Sequence, residues 1–101
     1  YVDLPDGEMQ VFLNIITFAE AVLQTKFDPS FFIALADHLH YAIERSREEI
    51  SLQNPLSWEV RKFYPREYEI GKQVLRLIAN DLEVELVDDE AASVALHFVN
   101  A

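Results

Sequence analysis

An all-α fold is expected from three features of this 101-residue sequence. Apolar residues recur at three- and four-residue spacing through several long segments. Only two glycines and four prolines are present, too few for an all-β chain, which needs a turn after each strand. Half the residues are hydrophobic, enough for helices to share one core rather than remain disordered. A chain of this length makes one domain. The segments predict a five-helix bundle with four substantial helices and one short one.

Residues Tyr1–Gly7 hold the turn formers Asp3, Pro5, Asp6 and Gly7 and read as a lead-in. From Glu8 to Thr25, the residues Phe12, Ile15, Ile16, Ala19, Val22 and Leu23 keep helical spacing, and Val11 and Phe18 widen the stripe. Such a helix is buried on two sides or joins an interface. Asp28-Pro29 marks the next start. The carboxylate caps orphan N–H groups, and proline at the first helical position gives up no needed donor. This second helix runs to about Glu49 on a stripe of Phe32, Leu35, Leu39, Ala42 and Ile43. Its far end, Glu44, Arg45, Arg47, Glu48 and Glu49, reads as a solvated face with ion pairs between neighbouring turns.

Ser51–Pro55 is a loop broken by Asn54-Pro55. Leu56–Phe63 predicts a short helix with Leu56, Val60 and Phe63 inward and Trp58 nearby. Pro65 opens a fourth helix with Tyr68, Val74, Leu75, Ile78 and Leu82 in register. Gly71 inside it is expected where another helix comes close, since glycine there otherwise costs about 0.5–1 kcal/mol relative to alanine. Glu83–Val87 alternates weakly and has no evident strand partner, so it reads as a connection. Asp88, Asp89 and Glu90 then place negative charge at the start of a last helix that runs to the end of the sequence.

Eight basic against eighteen acidic residues give a formal net charge of −10. That opposes binding to a phosphate backbone or an anionic membrane surface. No cysteine is present, which excludes disulfides and thiolate chemistry. No apolar run approaches the length of a membrane span, and no signal peptide is visible. The sequence begins at Tyr1 rather than Met, and the expectation is one domain of a longer protein.

Three histidines carry what chemistry there is. His38 lies at the edge of its helix's core stripe. His97 belongs to a helix that is apolar nearly all round, where Glu90, Ser93, His97 and Asn100 fall three, four and three residues apart and make one polar stripe. That stripe faces either water or a second polar element, and His38 is the candidate. His38 and His40 are two residues apart and cannot chelate together. No Cys, His-Glu-x-x-His or Glu-x-x-His pattern accompanies them, so no metal site is expected. No nucleophile motif, phosphate loop or cofactor signature points to an enzyme or to a cofactor. Histidine also serves as a phosphoryl acceptor, because neutral imidazole is a good nucleophile and a carboxylate fixes its tautomer.

The run Leu35-Ala36-Asp37-His38-Leu39-His40-Tyr41-Ala42-Ile43-Glu44-Arg45 resembles the first histidine box of a PTS regulation domain. This is the helical module repeated in bacterial transcriptional antiterminators of the BglG/SacY type and in related activators. The resemblance continues through Asn54-Pro55-Leu56, Trp58-Glu59-Val60, Phe63-Tyr64-Pro65 and Glu67-Tyr68-Glu69-Ile70-Gly71. It extends over Val84-Glu85-Leu86 and Asp89-Glu90-Ala91 and closes on Ala95-Leu96-His97-Phe98-Val99-Asn100-Ala101.

The resemblance implies a five-helix regulatory domain, not an enzyme, that pairs as a cytoplasmic homodimer. It implies that His38 and His97 are phosphorylated by proteins of the sugar phosphotransferase system. The form of both histidine boxes is most similar to the first of the two tandem copies in antiterminators, modified through the sugar-specific enzyme II. The second copy answers to the phosphocarrier HPr. RNA is bound by a separate N-terminal domain, so this segment makes no nucleic-acid contact of its own. Asp37 is expected to orient His38, with Arg45 and Asn100 as further contacts for the ring or the phosphate. Many family members carry proline and glycine where Val87 and Ala92 stand here; both residues are compatible with helix. His40 falls at a variable place and receives no role. An activator's regulation domain, or a helical interaction module with structural histidines, are the alternatives.

Overall fold

Five helices follow one another: α1 (Glu8–Leu23), α2 (Pro29–Arg47), α3 (Ser57–Phe63), α4 (Pro65–Leu82) and α5 (Asp89–Val99). This computed structural model describes residues 4, 5 and 7–101. Three turn formers of the expected lead-in fall as follows: Asp3 and Asp6 lie outside the described residues, and Gly7 forms a turn with φ 91°. The all-α expectation holds, and no strand occurs among the described residues. Glu83–Val87 is a connection, as the missing strand partner implied.

The last helix is the axis of the bundle. Ala91, Ala92, Val94 and Ala95 of α5 are buried to within 1% of full. Small side chains there let neighbours approach, and α4 packs along α5 more extensively than any other helix pair. Gly71 sits at the crossing. A Cβ there would run into the Ala91 carbonyl oxygen, so the glycine is required by close approach.

The remaining core comes from the predicted stripes. Phe12, Ile15 and Ala19 of α1 meet Leu35, Leu39 and Ile43 of α2, Val74 and Ile78 of α4, and Val94 and Phe98 of α5. Each large side chain fully buried contributes about 1.5–3 kcal/mol. Asp28 caps α2 as expected, with its carboxylate accepting from the Phe31 N–H at 3.0 Å. These two hydrogen-bond donors, Ser30 first and then Phe31, hold its carboxyl below the usual range.

Three expectations need correction. Of the inward residues assigned to the short helix, only Val60 is buried; Trp58 and Phe63 are both 63% exposed and Leu56 is exposed too. One turn of a seven-residue helix touches the core, and Lys62 Nζ covers the Trp58 ring at 4.7 Å instead. The charged end of α2 is only partly solvated. Arg47 pairs with Glu44 at 3.2 Å, but Arg45 reaches across to α5. Finally, α1 stops at Leu23 and α2 at Arg47, short of Thr25 and Glu49. Gln24 and Glu49 adopt left-handed φ of 52° and 58°, which ends each helix without glycine.

Candidate functional site

The polar stripe of α5 meets α2 and the loop before α3. Asp89 anchors that loop through its carboxylate, which accepts the Asn54 N–H at 2.9 Å. The Asn54 amide donates to Ser93 Oγ at 3.0 Å, and its oxygen accepts the Leu56 N–H at 2.8 Å. The result is a fixed wall beside His97.

Glu90 joins the two helices. It is 5% exposed. Its Oε1 lies 3.1 Å from His38 Nε2, and its Oε2 accepts from Arg45 Nη2 at 3.0 Å. Burial would raise the carboxyl, but the hydrogen bonds from His38 and Arg45, and their charges, outweigh it and hold Glu90 below the usual range. An ionised carboxylate only accepts, so His38 Nε2 carries hydrogen, and the lone pair of a neutral ring lies on Nδ1.

His97 faces His38, with ring centroids 5.0 Å apart and planes at 54°. Burial, and then the neighbouring His38, push its pKa below the ordinary imidazole value. His97 is thereby kept neutral, with a lone pair available to attack. Both rings line an open cleft of about 400 Å³ with Ala34, Phe31, Asn54, Ser93, Leu96 and Asn100. Beside it, Phe27 stacks on Phe31 at a centroid distance of 4.4 Å, and Phe98 packs tilted against Phe31 and Phe27 at 5.3 and 5.7 Å, which fixes the end of α5.

The stripe and the histidine box therefore converge, and His38, Arg45, His97 and Asn100 fall at one place. Asp37 does not join them. It is exposed and makes no hydrogen bond to His38 among the described residues; Glu90 holds the ring instead. Asn100 closes α5 as its C-cap and lines the cleft without touching either ring through a hydrogen bond. The sequence places Glu90 on the stripe but does not pair it with His38, and it marks Asn54 as a loop breaker and part of the family motif without a bond to Asp89 or Ser93. The three-four-three spacing was the available signal for Glu90. His40 leaves the seam entirely and bonds to Glu8.

The PRD domain family matches residues 13–101. The chain belongs to the PRD domain family. The chain is 38% identical to "Transcription antiterminator LicT" of Bacillus subtilis (strain 168), over 98% of this chain and 36% of the relative. It is 44% identical to "Beta-glucoside operon antiterminator" of Dickeya chrysanthemi, over 87% of this chain and 31% of the relative. The crystal structure of GlcT CAT-PRDI superposes with a TM-score of 0.90 at 29% identity, covering all of this chain and 59% of that one. This PRD domain thus spans about a third of the length of the curated relatives it matches. Those relatives are regulators of transcription by name. No helix among the described residues of the PRD domain is long and apolar enough to cross a membrane.

Proposed function

We propose that this domain is the regulatory phosphoryl acceptor of a bacterial transcriptional antiterminator, with His38 and His97 as acceptors and the sugar phosphotransferase system as donor. The observation that carries the reading is the pairing of two histidine rings at 5.0 Å in an open cleft. No general base for a further reaction is needed there. An imidazole lone pair forms the bond to phosphorus, the bond from phosphorus to the donor protein breaks, and its electron pair leaves with the donor.

The added group carries about −1.5 to −2 charges, by analogy with phosphorylated hydroxyls. Beside His38 it repels the Glu90 carboxylate and attracts Arg45. The Nε atom of Arg45 is buried and has no hydrogen-bond partner among the described residues, so a donor is available for phosphate oxygens. Transfer of Arg45 from Glu90 to phosphate loosens the α2–α5 junction. Asn100, which lines the cleft, acts where the donor protein docks and not on the ring, and the exposed Asp37 does not hold the ring either.

The domain pairs as a homodimer, and the altered junction changes that pairing and, through it, an attached RNA-binding domain. Leu13 and Val22 on α1, and Ile33 and Tyr41 on α2, are exposed apolar residues that support an interface on these helices. Replacing both histidines with aspartate mimics the added charge. The His38→Asp/His97→Asp protein is expected to show a changed dimer affinity in sedimentation; an unaltered dimer contradicts the reading.

A further inference from the structure

A second cluster lies on the other side of α2. His40 and Glu44 are one turn apart, so their side chains leave the same face of the helix. Glu8, the first residue of α1, crosses to meet them. His40 Nδ1 is 2.9 Å from Glu8 Oε1, and the ligand atoms of Glu8, His40 and Glu44 all lie within 4.8 Å of one another.

Glu8 is 2% exposed, and its Oε2 has no hydrogen-bond partner among the described residues. A buried carboxylate oxygen in that state is costly. The positive group that answers it is Arg47, whose Nη1 stands 4.0 Å from Glu8 Oε2 and donates to Glu44 Oε1 at 3.2 Å. Two carboxylates thus converge on one cation, beside an imidazole nitrogen. Arg47 is half-exposed and closes α2, so its side chain is free to turn to water.

We propose that Glu8, His40 and Glu44 form a binding site for a divalent transition-metal ion, which takes the place of the Arg47 guanidinium. Imidazole with carboxylates suits zinc, manganese or cobalt; magnesium and calcium prefer oxygen alone. Two ligand atoms about 2.1 Å from one ion stand about 3 Å apart at right angles, close to the His40–Glu8 separation of 2.9 Å. His40 binds through the Nδ1 lone pair with its proton on Nε2, and positions not filled by protein go to solvent on the open side of Glu44. The ion ties the first residue of α1 to α2. It is separate from the paired histidines, because His38 and His40 project from different sides of the helix.

Cobalt(II) is the probe, since its visible bands report coordination directly. Titration of the protein is expected to give bands that saturate at one equivalent, with a rise in melting temperature that a chelator reverses. His40→Gln removes the bands, Glu44→Gln weakens binding, and His38→Ala/His97→Ala leaves both intact. Arg47→Ala tightens binding, because the competing cation is gone. Absent bands in the unaltered protein overturn the proposal. So do bands that survive His40→Gln and vanish in His38→Ala/His97→Ala, which assign the ion to the paired histidines. Glu44 is half-exposed, so Glu44→Gln retains the fold by circular dichroism and decides the matter if His40→Gln unfolds.

Discussion

Glu90 holds the polar seam together, because one carboxylate serves both His38 and Arg45. Glu90→Gln keeps the shape and loses the charge. It is expected to destabilise the fold by about 1–2 kcal/mol, a value reduced because both partners are partly solvated. Urea denaturation measures this. Asp37→Asn is expected to be nearly neutral in the same measurement, since the exposed Asp37 does not support the ring. His97 makes stability depend on pH. Its folded pKa lies below the ordinary value, so below pH ~6.5 the unfolded chain binds more protons than the folded one. Stability is full above that pH and falls as the solution is acidified. Glu90, also lowered on folding, adds a second loss below pH ~4.3. Melting temperatures across this range are expected to show both losses, and His97→Gln removes only the upper one.

At the scale of elements, the α4–α5 crossing is the tightest contact. Alanine normally stabilises a helix over glycine by about 0.5–1 kcal/mol. Gly71→Ala is expected to reverse that and cost about 1–3 kcal/mol, because the methyl group meets the backbone of Ala91 and the helices must part. A thermal melt with the sign of the change decides it. Gly71 was legible from sequence because a glycine amid helical periodicity asks for a neighbour. Asp28-Pro29 was legible because capping chemistry is local. The orientation of α3 was not: seven residues give two turns, too few for a period to separate Val60 from Leu56 and Phe63. Helix ends were missed where Gln24 and Glu49 take the left-handed conformation that glycine usually signals. Glu8 marks only the start of the first helix in sequence, yet it is buried against His40, a contact across 32 residues that no local pattern encodes.

At the scale of the molecule, the two histidine boxes lie 59 positions apart in sequence and meet only because α5 is threaded through the bundle between α2 and α4. A stripe of four polar residues on an otherwise apolar helix signalled that α5 had a polar neighbour; the fold supplies His38, Arg45 and Asn54 as that neighbour. The domain already carries a net charge of −10. On the proposed function, phosphoryl groups would add to it at a seam whose only facing cation among the described residues is Arg45, which would concentrate the response at the α2–α5 junction. The most direct measurement is incubation of the domain with a reconstituted sugar phosphotransfer chain, followed by mapping of acid-labile phosphate. Label is expected on His38 or His97 and lost in the corresponding alanine variant. A labelled protein with neither histidine modified, or no label at all, contradicts it.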